Sequence, residues 1–275
     1  MLNNSTANPP ISTLLRRLTK IEVVVLFVAG PLLFFFPSLL LPLWPWQMLP
    51  FATVFLASVY SAAFVSTFIM VWSSRWSPAR IVVPMIGIFT VVVLVVSFYY
   101  IDLLDLTNWV TWLWFLLYLI LPINAFYHMW LYRDLPPINQ GALPAGWRLC
   151  FQLLAAALGL YGLMMILLPE LSTAFWPWPI DPFSSRLYSA TFISPALAAL
   201  YMLRGADQLE WITMGLTLFV LGTFSIVGIV WVDLAVQKIN WADGGTWLWV
   251  ALFGVIATIA LGMIRKGVQP PAELA

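Results

Sequence analysis

Apolar residues run along this chain in long blocks, broken by short polar, charged or proline-rich segments. A helix rising about 1.5 Å per residue needs roughly 20 apolar residues to cross a hydrocarbon core. The blocks place such helices at residues 18–36, 52–72, 80–101, 110–131, 149–168, 186–204, 211–232 and 246–264. They are too long and continuous for barrel strands, and an open sheet edge leaves its backbone unsatisfied in lipid. The pattern predicts an all-α polytopic membrane protein with eight transmembrane helices.

Composition narrows the function. Only 8% of the 275 residues are charged while 63% are hydrophobic, so the chain cannot cover a water-facing surface. The net charge of +1, with no basic patch interleaved with aromatics, removes any electrostatic case for nucleic acid. A single cysteine, Cys150, permits no internal disulfide. Zinc spacings, a phosphate loop and a nucleophile elbow are all missing from the sequence, so it leans away from an enzyme. The run Ile21–Leu41 exceeds a signal-peptide core and reads as an uncleaved first span.

The cations then set an orientation. With the N-terminus inside, the cytoplasmic segments hold Arg16, Arg17, Lys20, Arg75, Arg80, Arg133, Arg148, Arg204, Arg265 and Lys266. The outer segments hold only Arg186 and Lys238. By the positive-inside rule both termini are expected in the cytoplasm of a cell-membrane protein. Many of the 16 tryptophans lie near span ends, and Trp44, Trp46, Trp176 and Trp178 read as interfacial anchors.

Self-similarity is the strongest internal signal. Pro37, Trp44, Pro45, Trp46, Pro50 and Phe51 recur as Pro169, Trp176, Pro177, Trp178, Pro182 and Phe183, each 132 positions later. Arg16 and Arg148, Gly30 and Gly162, Met70 and Met202, and Trp109 and Trp241 keep the same offset. Three extra residues then shift the register, so that the TWLW run at 111–114 matches the run at 246–249. An even number of spans per copy inserts both copies the same way. The expectation is two parallel four-helix repeats about a pseudo-two-fold axis along the membrane normal. The boundaries are a disordered cytoplasmic tail at 1–15, repeats at 16–131 and 148–265, a connector at 132–147 and a second tail at 266–275. Clustered prolines stop the helices between Pro37 and Pro50 and between Pro169 and Pro182. Ser38–Leu43 and Glu170–Phe175 are expected to lie along the membrane surface.

The second copy of the turn, from Phe175 through Trp176, Pro177 and Trp178 to Pro182 and Arg186, resembles a segment in a loosely defined group of uncharacterised bacterial membrane proteins. The likeness covers about a dozen residues and otherwise only hydropathy. It implies a bacterial inner-membrane location and no activity. The first copy departs from it, with Val54 where the second has Arg186.

Intramembrane charges are functional candidates by default. With the spans above, almost none falls at mid-depth: Glu22 sits near the inner surface, and Asp102, Asp181 and Asp233 near the outer one. That counts against ion-coupled transport. His128, one turn after Asn124, suits an interhelical hydrogen bond, or a single pigment or haem. Arg186 is expected to pair with Glu170, Asp181 or Asp233, or to bind an anionic ligand. Small-residue stripes at Gly254, Thr258 and Gly262, at Ala155 and Gly159, and at Ser58, Ala62 and Ser66 read as packing faces. Three functions remain. One is a non-enzymatic protein acting through the bilayer or membrane-protein partners, as in a complex. Another is a small-molecule transporter with a site between the repeats. The last is an outer-face lipid-modifying enzyme using Asp102, Asp181 and Asp233.

Overall fold

The computed structural model describes residues 8–137 and 143–269. Eight long helices account for most of them: α1 (Thr13–Phe35), α2 (Pro50–Ser73), α3 (Trp76–Tyr99), α4 (Trp109–Leu131), α5 (Ala145–Leu167), α6 (Pro182–Met202), α7 (Gln208–Val236) and α8 (Gly244–Val268). Among the described residues the only strand-like pairing is an isolated bridge between Pro10 and Arg75. Seven of the eight helices are long and apolar enough to cross a membrane. The architecture is that of a multi-pass integral membrane protein.

The exception, α6, falls where the sequence pattern placed its sixth span but is not apolar enough by itself. Its surroundings give the reason. Most of α6 is buried against protein, including Ser184, Ser185, Ser189 and Ser194. Ser185 donates to the Met165 carbonyl at 3.1 Å and Ser194 to the Ala190 carbonyl at 2.7 Å. A helix packed mostly against other helices needs less overall apolarity than a lipid-facing one.

Helices α2, α3, α6 and α7 form the inner group. The pairs α1–α2, α3–α4, α5–α6 and α7–α8 are closely packed, and α2–α7 and α3–α6 join the halves. The outer helices turn large apolar side chains outward, among them Phe27, Leu116, Leu160 and Val255. Helix starts recur: Thr13 and Ala145, Pro50 and Pro182, and Trp76 and Gln208 all differ by 132 positions. Trp109 and Gly244 differ by 135. The prolines after α1 and α5 open short helices, Pro37–Leu40 and Pro169–Thr173.

One end of the bundle holds both described ends of the chain. The expected disordered tail is ordered there from residue 8: Ile11 N–H donates to the Ser74 carbonyl and Trp76 N–H to the Pro9 carbonyl. Part of the connector, 138–142, and the tail beyond 269 lie outside the described residues. A buried ion pair ties this end together. Arg80 on α3 forks to Glu210 on α7, with Nε to Oε1 at 2.6 Å and a second nitrogen to Oε2 at 2.8 Å. Two further Arg80 N–H groups reach the carbonyls of Tyr201 and Gly205. Asp207 and Glu210 form a capping box at the start of α7, and Ser77 donates to Asp207 at 2.6 Å.

The opposite end is closed by tryptophans. Trp176 and Trp178 are buried, and Trp44 and Trp46 are half-buried, so these four pack inward rather than anchoring at an interface as expected. The prolines fold each short segment back over the helix ends, which turns the indoles onto the core. Exposed indoles belong instead to Trp72, Trp109, Trp112, Trp130, Trp231 and Trp247. The inward cluster is reciprocal. Trp46 meets Phe183 at 5.3 Å between ring centroids, and Trp178 meets Phe51 at 5.8 Å. Trp114 lies 5.9 Å from Trp44 and 5.1 Å from Trp46, while Trp249 lies 6.0 Å from Trp176 and 5.4 Å from Trp178.

Candidate functional site: an intramembrane cavity

A cavity of about 480 Å³ opens between α1, α2, α3 and α4, backed by α6 and α7. That volume is within the roughly 300–1,000 Å³ of small-molecule sites. Helices α1 and α4 touch only sparingly, and the exposed side chains of Val24, Val28, Trp109 and Leu113 form a rim between them. The opening therefore faces sideways, toward the surface that the apolar helices present to a bilayer.

Glu22 is the one charged residue in the cavity wall. Sequence spacing set it near the inner surface because the first span was drawn from residue 18. The helix starts earlier, at Thr13, where Ser12 caps it by accepting from Leu15 N–H at 3.1 Å. Glu22 is then the tenth residue of a 23-residue helix, close to its middle. Arg16 and Arg17, expected ahead of the span, lie with Lys20 inside this helix. All three are exposed side chains on the first turns of α1, where long basic side chains can reach the interface from inside a helix. Glu22 Oε2 is buried and has no hydrogen-bond partner.

Few other polar groups accompany it. The hydroxyls of Tyr60 and Tyr118 lie 3.5 Å apart. Ser66, Thr67 and Thr90 direct their hydroxyls to carbonyls of their own helices. The Trp44 indole N–H, also in the wall, is buried and unpartnered.

The matching positions of the second half are apolar. At the 132-residue offset Glu22 corresponds to Leu154, Tyr60 to Phe192, Ser66 to Ala198, Thr67 to Ala199 and Thr90 to Gly222. At the shifted offset Tyr118 corresponds to Phe253. Leu154, Phe192 and Phe253 are buried, with Phe253 4.4 Å from Trp249 and 6.1 Å from Phe192 between centroids. Gly222 has no room for a Cβ, which would fall 2.6 Å from the Phe253 carbonyl oxygen, so α8 closes onto α7 there.

The residues singled out from sequence lie elsewhere. His128 is buried, with Nδ1 2.8 Å from the Asn124 carbonyl and Nε2 2.5 Å from Ser12 Oγ. The carbonyl only accepts, so Nδ1 carries the proton and Nε2 accepts from the Ser12 hydroxyl. Both ring nitrogens are engaged, which leaves neither free for a pigment or haem. The Asn124 side chain is buried with its Oδ1 unpartnered and does not meet His128.

Arg186 forms no ion pair among the described residues. It donates to the Ile166 carbonyl at 3.1 Å, to the Tyr100 hydroxyl and to the Pro182 carbonyl, and its guanidinium lies over the rings of Tyr99 and Tyr100. Two of its expected carboxylate partners, Asp181 and Asp233, have local roles. Asp181 caps α6 through Ser184, and Asp233 accepts from Lys238 N–H, Ile239 N–H and the Trp241 indole. Asp102 is exposed on the turn Ile101–Leu103. On the neighbouring exposed turn, hydrogen bonds from Thr107 hold the Asp105 carboxyl below its ordinary range. No group of acidic, histidine or cysteine side chains among the described residues could hold a metal ion. Comparison with protein-family models, curated proteins and solved structures finds no match.

Proposed function

We propose that the chain is an eight-span cell-membrane protein made of two parallel four-helix units, with both termini cytoplasmic. On this reading the first unit takes up a lipophilic small molecule from the bilayer, acting by binding rather than catalysis. The observation that carries the binding reading is the sideways-opening cavity with the unpartnered Glu22 carboxyl in its wall. The recurring helix starts, the matched helix pairs and the reciprocal tryptophan contacts support the duplication. The cation distribution supports the orientation. α6 counts as a span because its neighbours, not lipid, surround its hydroxyls.

Transport is the second reading, favoured by one feature: α6 and α7 of the second unit supply the back wall, through Ser194, Pro195 and Thr217 among others. A binding protein needs no such shared wall, whereas a carrier moves one unit against the other.

Two measurements test the proposal. Purification in mild detergent followed by mass spectrometry is expected to recover a lipophilic compound in near-stoichiometric amount, reduced when Ala63 in the cavity wall is enlarged by Ala63→Phe. Equal recovery from both proteins removes the binding reading. For orientation, an impermeant maleimide on intact cells is expected to label Ala242→Cys and spare Asp134→Cys, both built on Cys150→Ala. The reverse labelling places the termini outside.

A further inference from the structure

Glu22 is not needed to build this fold. The second half carries Leu154 at the matching position, buried within an otherwise comparable helix pair. The same holds for the two tyrosine hydroxyls, since Phe192 and Phe253 supply the same rings without them. A carboxyl that the architecture can omit, set in an apolar wall with one oxygen unpartnered, calls for a reason outside packing.

A carboxylate in such surroundings is costly unless it holds its proton or meets a positive charge. The protein provides none: no lysine, arginine or histidine lines the cavity. A ligand that brings its own positive charge is therefore stabilised against the ionised carboxylate, and an anionic one finds no positive partner here. Tyr60, Trp114, Tyr118 and Phe89 line the same wall, and aromatic rings attract cations, more so out of water. The opening between α1 and α4 admits compounds that partition into lipid rather than those confined to water.

We infer that the first-unit cavity is a site for a lipophilic monocation, an amine or quaternary ammonium whose apolar body fills the cavity and whose charge rests against Glu22. This rests on the reading that the cavity binds a lipophilic compound, and it adds the charge of that compound.

Three probes of equal chain length separate the two claims: dodecyltrimethylammonium, dodecanol and dodecanoate, each below its micellar concentration. Binding to the purified full-length protein is followed by tryptophan fluorescence. Dodecyltrimethylammonium is expected to bind at least about ten-fold tighter than dodecanol, with dodecanoate weaker than both. Glu22→Gln is expected to weaken the cation by about ten-fold and leave dodecanol within about three-fold. Glu22→Leu, which reproduces Leu154 of the second half, serves the same purpose should the glutamine variant fail to fold. Equal binding of the cation and the alcohol to the wild-type protein overturns the charge assignment alone. Binding by none of the three overturns the lipophile-binding reading as well. A cation preference that survives in both variants refutes the role of Glu22.

Discussion

Arg80 and Glu210 have been taken out of water together, and each satisfies most of what the other lost. The guanidinium spends two donors on the carboxylate and two on the Tyr201 and Gly205 carbonyls. The carboxylate also accepts Asp207 N–H at 3.1 Å as part of the α7 cap. Removing one partner of such a pair strands a buried charge, which costs about 3–5 kcal/mol. Glu210→Ala is thus expected to lower the thermal unfolding midpoint in detergent sharply, followed by tryptophan fluorescence. Arg80→Met combined with Glu210→Met should cost less than the sum of the two single changes, since it strands nothing. A strictly additive pair would mean that the ion pair contributes no coupling. The cap leaves a short-range signal, an aspartate three positions before a glutamate at a helix start, although the apolar blocks that define the spans do not draw on it. The pairing leaves none, because Arg80 and Glu210 lie 130 positions apart and only the contact of α3 with the α6–α7 turn brings them together. His128 is a similar case: its one-turn spacing from Asn124 was readable, but its partner Ser12 came from a segment expected to be disordered.

Between helices, glycine placement decides how closely two axes approach. The small residues that draw α7 and α8 together are Gly215, Gly222 and Gly267, where an added Cβ would come within 2.9 Å of a neighbouring helix's backbone atoms. The sequence stripe through Gly254, Thr258 and Gly262 suggested a packing face instead. In the structure Gly254 has nothing within 4 Å of a built Cβ, Thr258 is exposed, and Gly262 approaches only the Trp147 ring. A spacing of four marks one face of a helix but does not say whether that face looks at protein or lipid. Gly222→Ala is expected to destabilise by about 1–3 kcal/mol through overpacking. Gly254→Ala should be neutral or stabilising by up to about 1 kcal/mol, the helix-propensity gain. Thermal unfolding of both variants side by side checks this, and a larger loss at Gly254 would contradict the packing described. Helix existence was legible at all eight places because long apolar blocks leave few alternatives. Helix ends were less so, and the misplaced start of α1 hid the one carboxyl that matters most to the cavity. The four W-P-W tryptophans were misread for a related reason: the prolines that end a helix do not disclose which way the chain folds next.

At the scale of the whole molecule, the two halves differ at positions 132 or 135 residues apart. In the second, Leu154, Phe192 and Phe253 are buried apolar side chains and Gly222 lets α8 close onto α7. In the first, Glu22, Tyr60, Tyr118 and Thr90 stand at the same positions around open volume. A protein shaped by stability alone has no use for that difference, whereas a binding site commonly costs stability. The two exchanges should therefore have opposite signs. Glu22→Leu removes a poorly satisfied carboxyl and is expected to raise the unfolding midpoint of ligand-free protein by about 2–4 °C, corresponding to about 1 kcal/mol. Leu154→Glu puts a carboxyl into a filled interior near mid-helix and is expected to cost about 2.5–3.5 kcal/mol. If both exchanges destabilise to a similar degree, Glu22 is part of the scaffold and the case for a site in the first unit falls. If Glu22→Leu stabilises, the carboxyl is held against the interest of the fold, which is how a ligand-binding group differs from a structural one.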